Sequence, residues 1–235
     1  MNVKNCVGSV ITSDEVHSAI KMLNSGKAPD EYGVKSEVLH NLADTLTPIL
    51  TDLFNKCSLQ QNVPIHFKRG TLTSIPKKNK PPEVLDNHRG ITVTTTIGKV
   101  LEHVILKRLK PVQAKYQSTV QFGFTQNLNP SMATLLITEA ANEARELKSP
   151  LWVCTLDAKK AFDTVDHNSL VRKMYNTGID RGMVAMLDSM YQDMTTVCKW
   201  KGLHGTPFDI KQGTRQGGVL SSLLYNFYIN DLLLQ

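Results

Sequence analysis

The chain has 235 residues, a formal net charge of +6, and a composition 41% hydrophobic and 20% charged, which fits a globular protein with a substantial core in one large domain or two small subdomains. The basic balance suits a polyanionic partner. Cys6, Cys57, Cys154 and Cys198 lie far apart, without metal-binding spacing; no opening segment reads as a signal peptide and no apolar run approaches the roughly 20 residues of a membrane span, so a reduced, intracellular protein of cytoplasm or nucleus with no membrane partner is expected.

Thr12-Ser-Asp-Glu15 has the form of a capping box, with Val16, Ile20 and Leu23 behind it at helical spacing and Gly26 as the stop. Residues 26–33, GKAPDEYG, read as a loop, and 34–57 as helix interrupted near Pro48. Residues 70–76, GTLTSIP, predict a strand. KKNKPP from Lys77 is a basic, proline-bounded turn; NHRGITV from Asn87 is a second extended piece, before a helix over 97–109. Asn129-Pro130 pairs an N-cap with proline at the first helical position, and that helix runs to about 147. LWVCTL at 151–156 is apolar and rich in β-formers, predicting a buried strand that ends on Asp157. Asp166 or Asn168 caps the next helix and Asp180 another, through Tyr191. TTVCKW from Thr195 and PFDIK from Pro207 predict a hairpin across KGLHGT. The chain closes on a glycine-rich turn, QGTRQGG from Gln212, entering an apolar helix. The fold class is α+β, with helices packed around a small sheet.

Three stretches carry candidate chemistry. A carboxylate at the end of a buried strand is costly unless paired, so Asp157 either ligates a hard cation such as Mg²⁺ or caps the turn after its strand. Phe162, five residues on, is core or the wall of a pocket, while Asp163 and Asp166 suit backbone hydrogen bonds. Lys77, Lys78, Lys80 and Arg89 bracket the proline-rich turn; they bind phosphate or form a solvated basic loop. Gly217 and Gly218 let main chain approach a ligand, and Gln216 brings both donor and acceptor atoms; the alternative is a helix-entry turn with no ligand.

In sequence order, these stretches resemble the reverse transcriptase domain of non-LTR (LINE and jockey-like) retrotransposons. GKAPDEYGVKSE from Gly26 resembles the N-terminal extension motif, FKRGTLTSIPKK from Phe67 finger motif 1, and NHRGIT from Asn87 motif 2. QFGFT from Gln121 resembles the segment before motif A, DAKKAFDTVDH from Asp157 motif A, and QGTRQGGVLS from Gln212 motif B. Group II intron maturases, the nearest alternative, usually read PQGG where this chain has Arg215-Gln-Gly-Gly218.

The resemblance implies a partial right-hand polymerase around a small antiparallel sheet, with N-terminal extension and fingers over 1–150, part of the palm over 151–235, and no thumb. It implies RNA-directed DNA polymerisation by two Mg²⁺ ions, Mn²⁺ being an alternative, on an RNA template with a DNA primer and dNTP. By resemblance, Asp157 ligates both metals and the Ala158 carbonyl completes one shell. Phe162 excludes a ribose hydroxyl, Lys77 and Arg89 hold the triphosphate, and Gln216 and Gly217 line the nucleotide pocket. Three positions depart from the family pattern: Asp30-Glu-Tyr, Asn127 in place of glycine, and Ser222 in place of proline. The F/Y-A-D-D of motif C, which supplies the remaining carboxylates, does not occur in the sequence. The chain alone is therefore expected not to polymerise DNA, to expose apolar surface, and to be a fragment of a retrotransposon polymerase. The alternative is a non-catalytic nucleic-acid-binding or relic fragment.

Overall fold

The computed structural model describes residues 10–200 and 202–233, so the reading of Cys6 lies outside it. Helix α1 (Ser13–Lys21) opens on the predicted capping box: Thr12 accepts from the Glu15 amide, and Glu15 accepts from the Thr12 amide. Val16, Ala19 and Ile20 on its inner face are buried. Helices α2 (Ser36–Asn41) and α3 (Ala43–Gln60) follow. The break predicted at Pro48 falls instead at Leu42, with φ −108° and ψ 18° between the helices. Pro48 lies inside α3. There it forfeits one hydrogen bond in a helix that buries Leu50 and Phe54.

After a short helix α4 (Ile65–Lys68) come strands β1 (Arg69–Pro76) and β2 (His88–Thr94), antiparallel with Gly70 opposite Thr94 and Pro76 opposite His88. Helix α5 (Thr96–Tyr116) runs past its predicted end and contains Pro111. Its start is secured twice. Thr95 accepts from the Gly98 amide, and the buried Asp30 carboxylate accepts from Thr96 N at 2.8 Å while its other oxygen holds the Tyr32 and Val34 amides, each at 3.0 Å. The Asp30-Glu-Tyr departure is thus a built tie between the 26–33 loop and a helix N-terminus, where negative charge is favoured. Asn127 sits at φ +64°. This left-handed conformation favours glycine, and asparagine is among the residues that best tolerate it.

Helix α6 (Pro130–Glu146) is capped by Asn129 as predicted, yet none of its residues is buried. Helices α7 (His167–Asn176) and α8 (Arg181–Tyr191) are capped by Asp166 and Asp180. Strand β3 (Thr195–Trp200), β4 (Leu203–His204) and β5 (Phe208–Asp209) precede α9 (Ser221–Ile229) and a final 3₁₀ turn. The β3–β4–β5 segment is the predicted hairpin. The sheet is mixed rather than antiparallel, because β3 runs parallel to β1, with Arg69 opposite Thr195 and Thr73 opposite Lys199. This pairing joins the two halves of the chain.

The main correction concerns 151–156. These residues form no strand and are exposed, Trp152 to 92%. A strand needs a neighbour for its backbone groups. The described sheet runs β2-β1-β3-β4 with β5 on β3, and 151–156 pair with none of these strands. The core lies elsewhere, where α1, α3, α5, α8 and α9 bury Ile20, Phe54, Leu101, Ile105, Leu187 and Leu224. Among the described residues no helix is long and apolar enough to cross a membrane.

Candidate functional site

Two turns and one strand meet at the site. The first turn, 160–165, leaves the irregular stretch with Lys160 at φ +53°. Its carbonyls at Phe162 and Val165 accept from the amides of Thr214 and Gly213, both at 2.7 Å. Gly213 stands at φ +91°, and a Cβ there would lie 2.8 Å from the Asp163 carbonyl oxygen. Only glycine allows this approach without displacing the backbone. The neighbouring side chains add a third link, Gln216 Nε2 donating to Asp163 Oδ1 at 3.0 Å.

The second turn, 212–220, is seated on β2. Thr92 N donates to the Gln216 carbonyl at 2.8 Å. Gly217 has φ +102°, and a Cβ would come within 3.1 Å of the Thr92 carbonyl oxygen. Within the turn, Gly218 N and Ser221 Oγ both donate to the Arg215 carbonyl, at 3.0 and 2.6 Å. Between the two turns and the sheet lies a cavity of about 300 Å³ whose wall includes Leu72, Thr92, Asp163, Thr196, Thr214 and Gln216.

Phe162 faces a different neighbour from Asp163. Its ring packs edge-on to Phe124 at 5.7 Å and tilted on Tyr225 of α9 at 4.9 Å, so it is a half-buried member of an aromatic trio. The segment before it is fixed from α9 as well. Asn226 donates to Gly123 O at 3.1 Å and accepts from Gln121 Nε2 at 3.1 Å, and Asn230 accepts from Ser118 N at 2.7 Å. Two asparagines one helical turn apart therefore replace water for the 118–123 backbone.

The predicted cations stand on the β1–β2 hairpin. Arg89 is exposed, opposite Ile75. Lys77, two residues beyond Ile75, spends its ammonium on the Asp86 carbonyl at 2.8 Å. Asp157 and Ala158 lie in the exposed irregular stretch, so the burial argument for pairing Asp157 does not apply. Among the described residues no group of three or more His, Cys, Asp or Glu side chains is placed to hold a metal ion. A two-metal centre holds cations about 4 Å apart and needs several carboxylate oxygens. The described residues do not fit one.

Of the predicted residues, Gln216 lines the cavity and Gly217 lies against Thr92 of β2, while Phe162, on the adjoining turn, has its ring on Phe124 and Tyr225. Lys77 and Arg89 share the hairpin, and among the described residues neither Asp157 nor Ala158 lines the cavity. Sequence reasoning missed Gly213 and the pairing of Asp163 with Gln216. The available signal was the repeated dipeptide, Gln212-Gly213 and Gln216-Gly217, which marks two tight backbone approaches four residues apart.

Residues 75–235 match the family described as reverse transcriptase (RNA-dependent DNA polymerase). The chain is 29% identical over 227 residues to a transposon TX1 uncharacterized 149 kDa protein of Xenopus laevis, a match covering 95% of the chain and 17% of that protein. It is 29% identical over 224 residues to the retrovirus-related Pol polyprotein from type-1 retrotransposable element R2 of Popillia japonica, covering 95% of the chain and 30% of the relative. Against the RNA-directed DNA polymerase from mobile element jockey of Drosophila melanogaster, the identity is 27% over 226 residues, with 95% and 25% covered. The chain thus spans less than a third of the length of each of these relatives.

Proposed function

The chain belongs to the reverse transcriptase family, in its non-LTR retrotransposon branch, and on that premise we propose that its 160–165 and 212–220 turns form the nucleotide-facing wall of an RNA-directed DNA polymerase. The observation that carries this reading is the apposition of the two turns on β2, through Thr214 N to Phe162 O, Gly213 N to Val165 O and Thr92 N to Gln216 O. Two peptide segments 50 residues apart in sequence are locked chiefly by main chain, with Gln216 Nε2 on Asp163 Oδ1 as a side-chain link, which fixes the turns for recognition.

In this reading Gln216 and Gly217 bound the incoming dNTP, and Phe162, held flat by Tyr225, meets its sugar. Lys77 and Arg89 offset the triphosphate charge across the hairpin. Residues 1–150 act as N-terminal extension and fingers, and 151–235 as part of the palm. The nucleic-acid partners are an RNA template and a DNA primer, met by a chain of net charge +6. Reverse transcriptases use divalent cations such as Mg²⁺. Asp157 and the Ala158 carbonyl are the proposed ligands from this chain, and the single carboxylate leaves the 235-residue polypeptide unable to extend a primer by itself.

Filter binding of radiolabelled dTTP to the chain on an RNA template–DNA primer duplex in Mg²⁺ tests the proposal. The expected result is template-dependent retention, weakened at least about tenfold by Gln216→Ala, with no incorporation into the primer. Absence of template-dependent binding contradicts the nucleotide pocket. Incorporation abolished by Asp157→Ala contradicts the claim of inactivity.

A further inference from the structure

Arg215 occupies the centre of the 212–220 turn, yet its side chain does not enter the cavity region as a free cation. Nη1 donates to the Phe67 carbonyl at 3.0 Å and Nη2 to the Lys68 carbonyl. It therefore anchors the turn to the backbone immediately before β1. On the far side of the same turn stands Glu102 of α5, 5% exposed. Its Oε2 accepts from Val219 N at 2.7 Å and from Leu220 N at 3.3 Å, the first amides on the approach to α9. The two ions do not form a close salt bridge. Each is solvated by backbone instead, the cation by two carbonyls and the anion by two amides, and they offset each other's charge across a small internal space that Tyr191 also lines. Burial pushes the Glu102 carboxyl up, with Arg215 and the two amides opposing it. Burial likewise lowers Arg215 and raises Tyr191.

A buried charge is costly, and a hydrophobic residue at either position would be cheaper for packing alone. What this arrangement achieves is placement. The four residues Arg215–Gly218 are gripped at one end by Arg215, in the middle by Thr92 N on the Gln216 carbonyl, and at the far end by Glu102. We propose that Glu102 and Arg215 are a positioning pair, whose opposed charges hold Gln216 and Gly217 in register against β2. That the held surface is a nucleotide pocket rests on the function proposed above; that it is held by this pair does not.

Hydrogen exchange measured by mass spectrometry on the full chain tests the pair without any ligand. Glu102→Gln keeps an amide-accepting oxygen but removes the charge, leaving Arg215 buried and uncompensated. Exchange in peptides covering 212–224 should rise at least about tenfold, while peptides from α1 and α3 remain at wild-type rates. The double variant Glu102→Gln/Arg215→Met removes both charges, and should exchange more slowly at 212–224 than Glu102→Gln alone, because the unpaired ion is gone. If Glu102→Gln fails to fold, recovery of a folded chain in the double variant supports the pair. Unchanged exchange at 212–224, a uniform rise across all peptides, or a double variant no better than the single one overturns it. On the wild-type chain, loss of dTTP binding with slow exchange at 212–224 counts against the proposed function and leaves the pair standing.

Discussion

Gly213 and Gly217 do the same work at two points of one turn. Both have positive φ, and both bring main chain against a backbone oxygen that a Cβ would crowd, Asp163 O at 2.8 Å and Thr92 O at 3.1 Å. Gly213→Ala meets strain and a clash that no side-chain rotation relieves. We expect a loss of about 2 kcal/mol, read as a fall in Tm of roughly 4–8 °C for a chain of this size. Gly178, at φ +78° with nothing within 4 Å of its missing Cβ, serves as the comparison; its alanine variant carries the backbone strain alone and should fall by less. An equal loss at the two positions would contradict the close approach. Other residue roles were legible in sequence because they are local. Thr12, Asn129, Asp166 and Asp180 cap helices within three residues of themselves. Glu102 was not legible, since its partners lie 113 to 118 positions away and a glutamate inside an amphipathic pattern reads as a solvated face.

Helix α5 is the element on which the described fold turns. Its start is capped by Thr95 and by Asp30, its middle places Glu102 at the 212–220 turn, and its third quarter holds Arg108 in a bidentate pair with Glu15 of α1, at 2.7 and 2.8 Å. The Arg108 hydrogen bonds hold the Glu15 carboxyl at about 2, below its ordinary 4.5. Because the folded value is the lower one, this stability is fully present above about 4.5 and is lost as pH falls toward 2. Glu15→Gln should cost about 2 kcal/mol at neutral pH, allowing for partial solvent screening, and should flatten the acid limb of Tm against pH between those two values. An unchanged acid limb would show that the pair contributes nothing. The strands β1 and β2 were legible from alternation and their bounding turn, whereas the parallel pairing of β1 with β3 was not. That contact closes over more than 120 residues, and no local pattern encodes it.

The whole molecule has two characters. The core around α1, α3, α5, α8 and α9 is closed, while α6 and the 147–160 stretch expose Leu135, Leu136, Ile137, Leu151, Trp152 and Leu156. The accessible surface of 14962 Å² exceeds the roughly 10,600 Å² of a compact protein of the same mass. Residues 151–156 explain why sequence reading failed there. Their composition favours a buried strand, but burial is a property of what packs against them, and these residues pair with no strand of the described sheet. The candidate site survives this because its two turns are fixed to β2 and α9 rather than to 151–156. In the proposed function these turns form a deoxynucleotide pocket, with Phe162 held by Tyr225 against the sugar. Competition of dTTP and UTP for the chain on an RNA template–DNA primer duplex tests it most directly. The wild-type chain should prefer dTTP by at least about tenfold, and Phe162→Val should erase the preference by admitting UTP without weakening dTTP. Equal binding of the two nucleotides by the wild-type chain, or a preference unchanged in Phe162→Val, would contradict it.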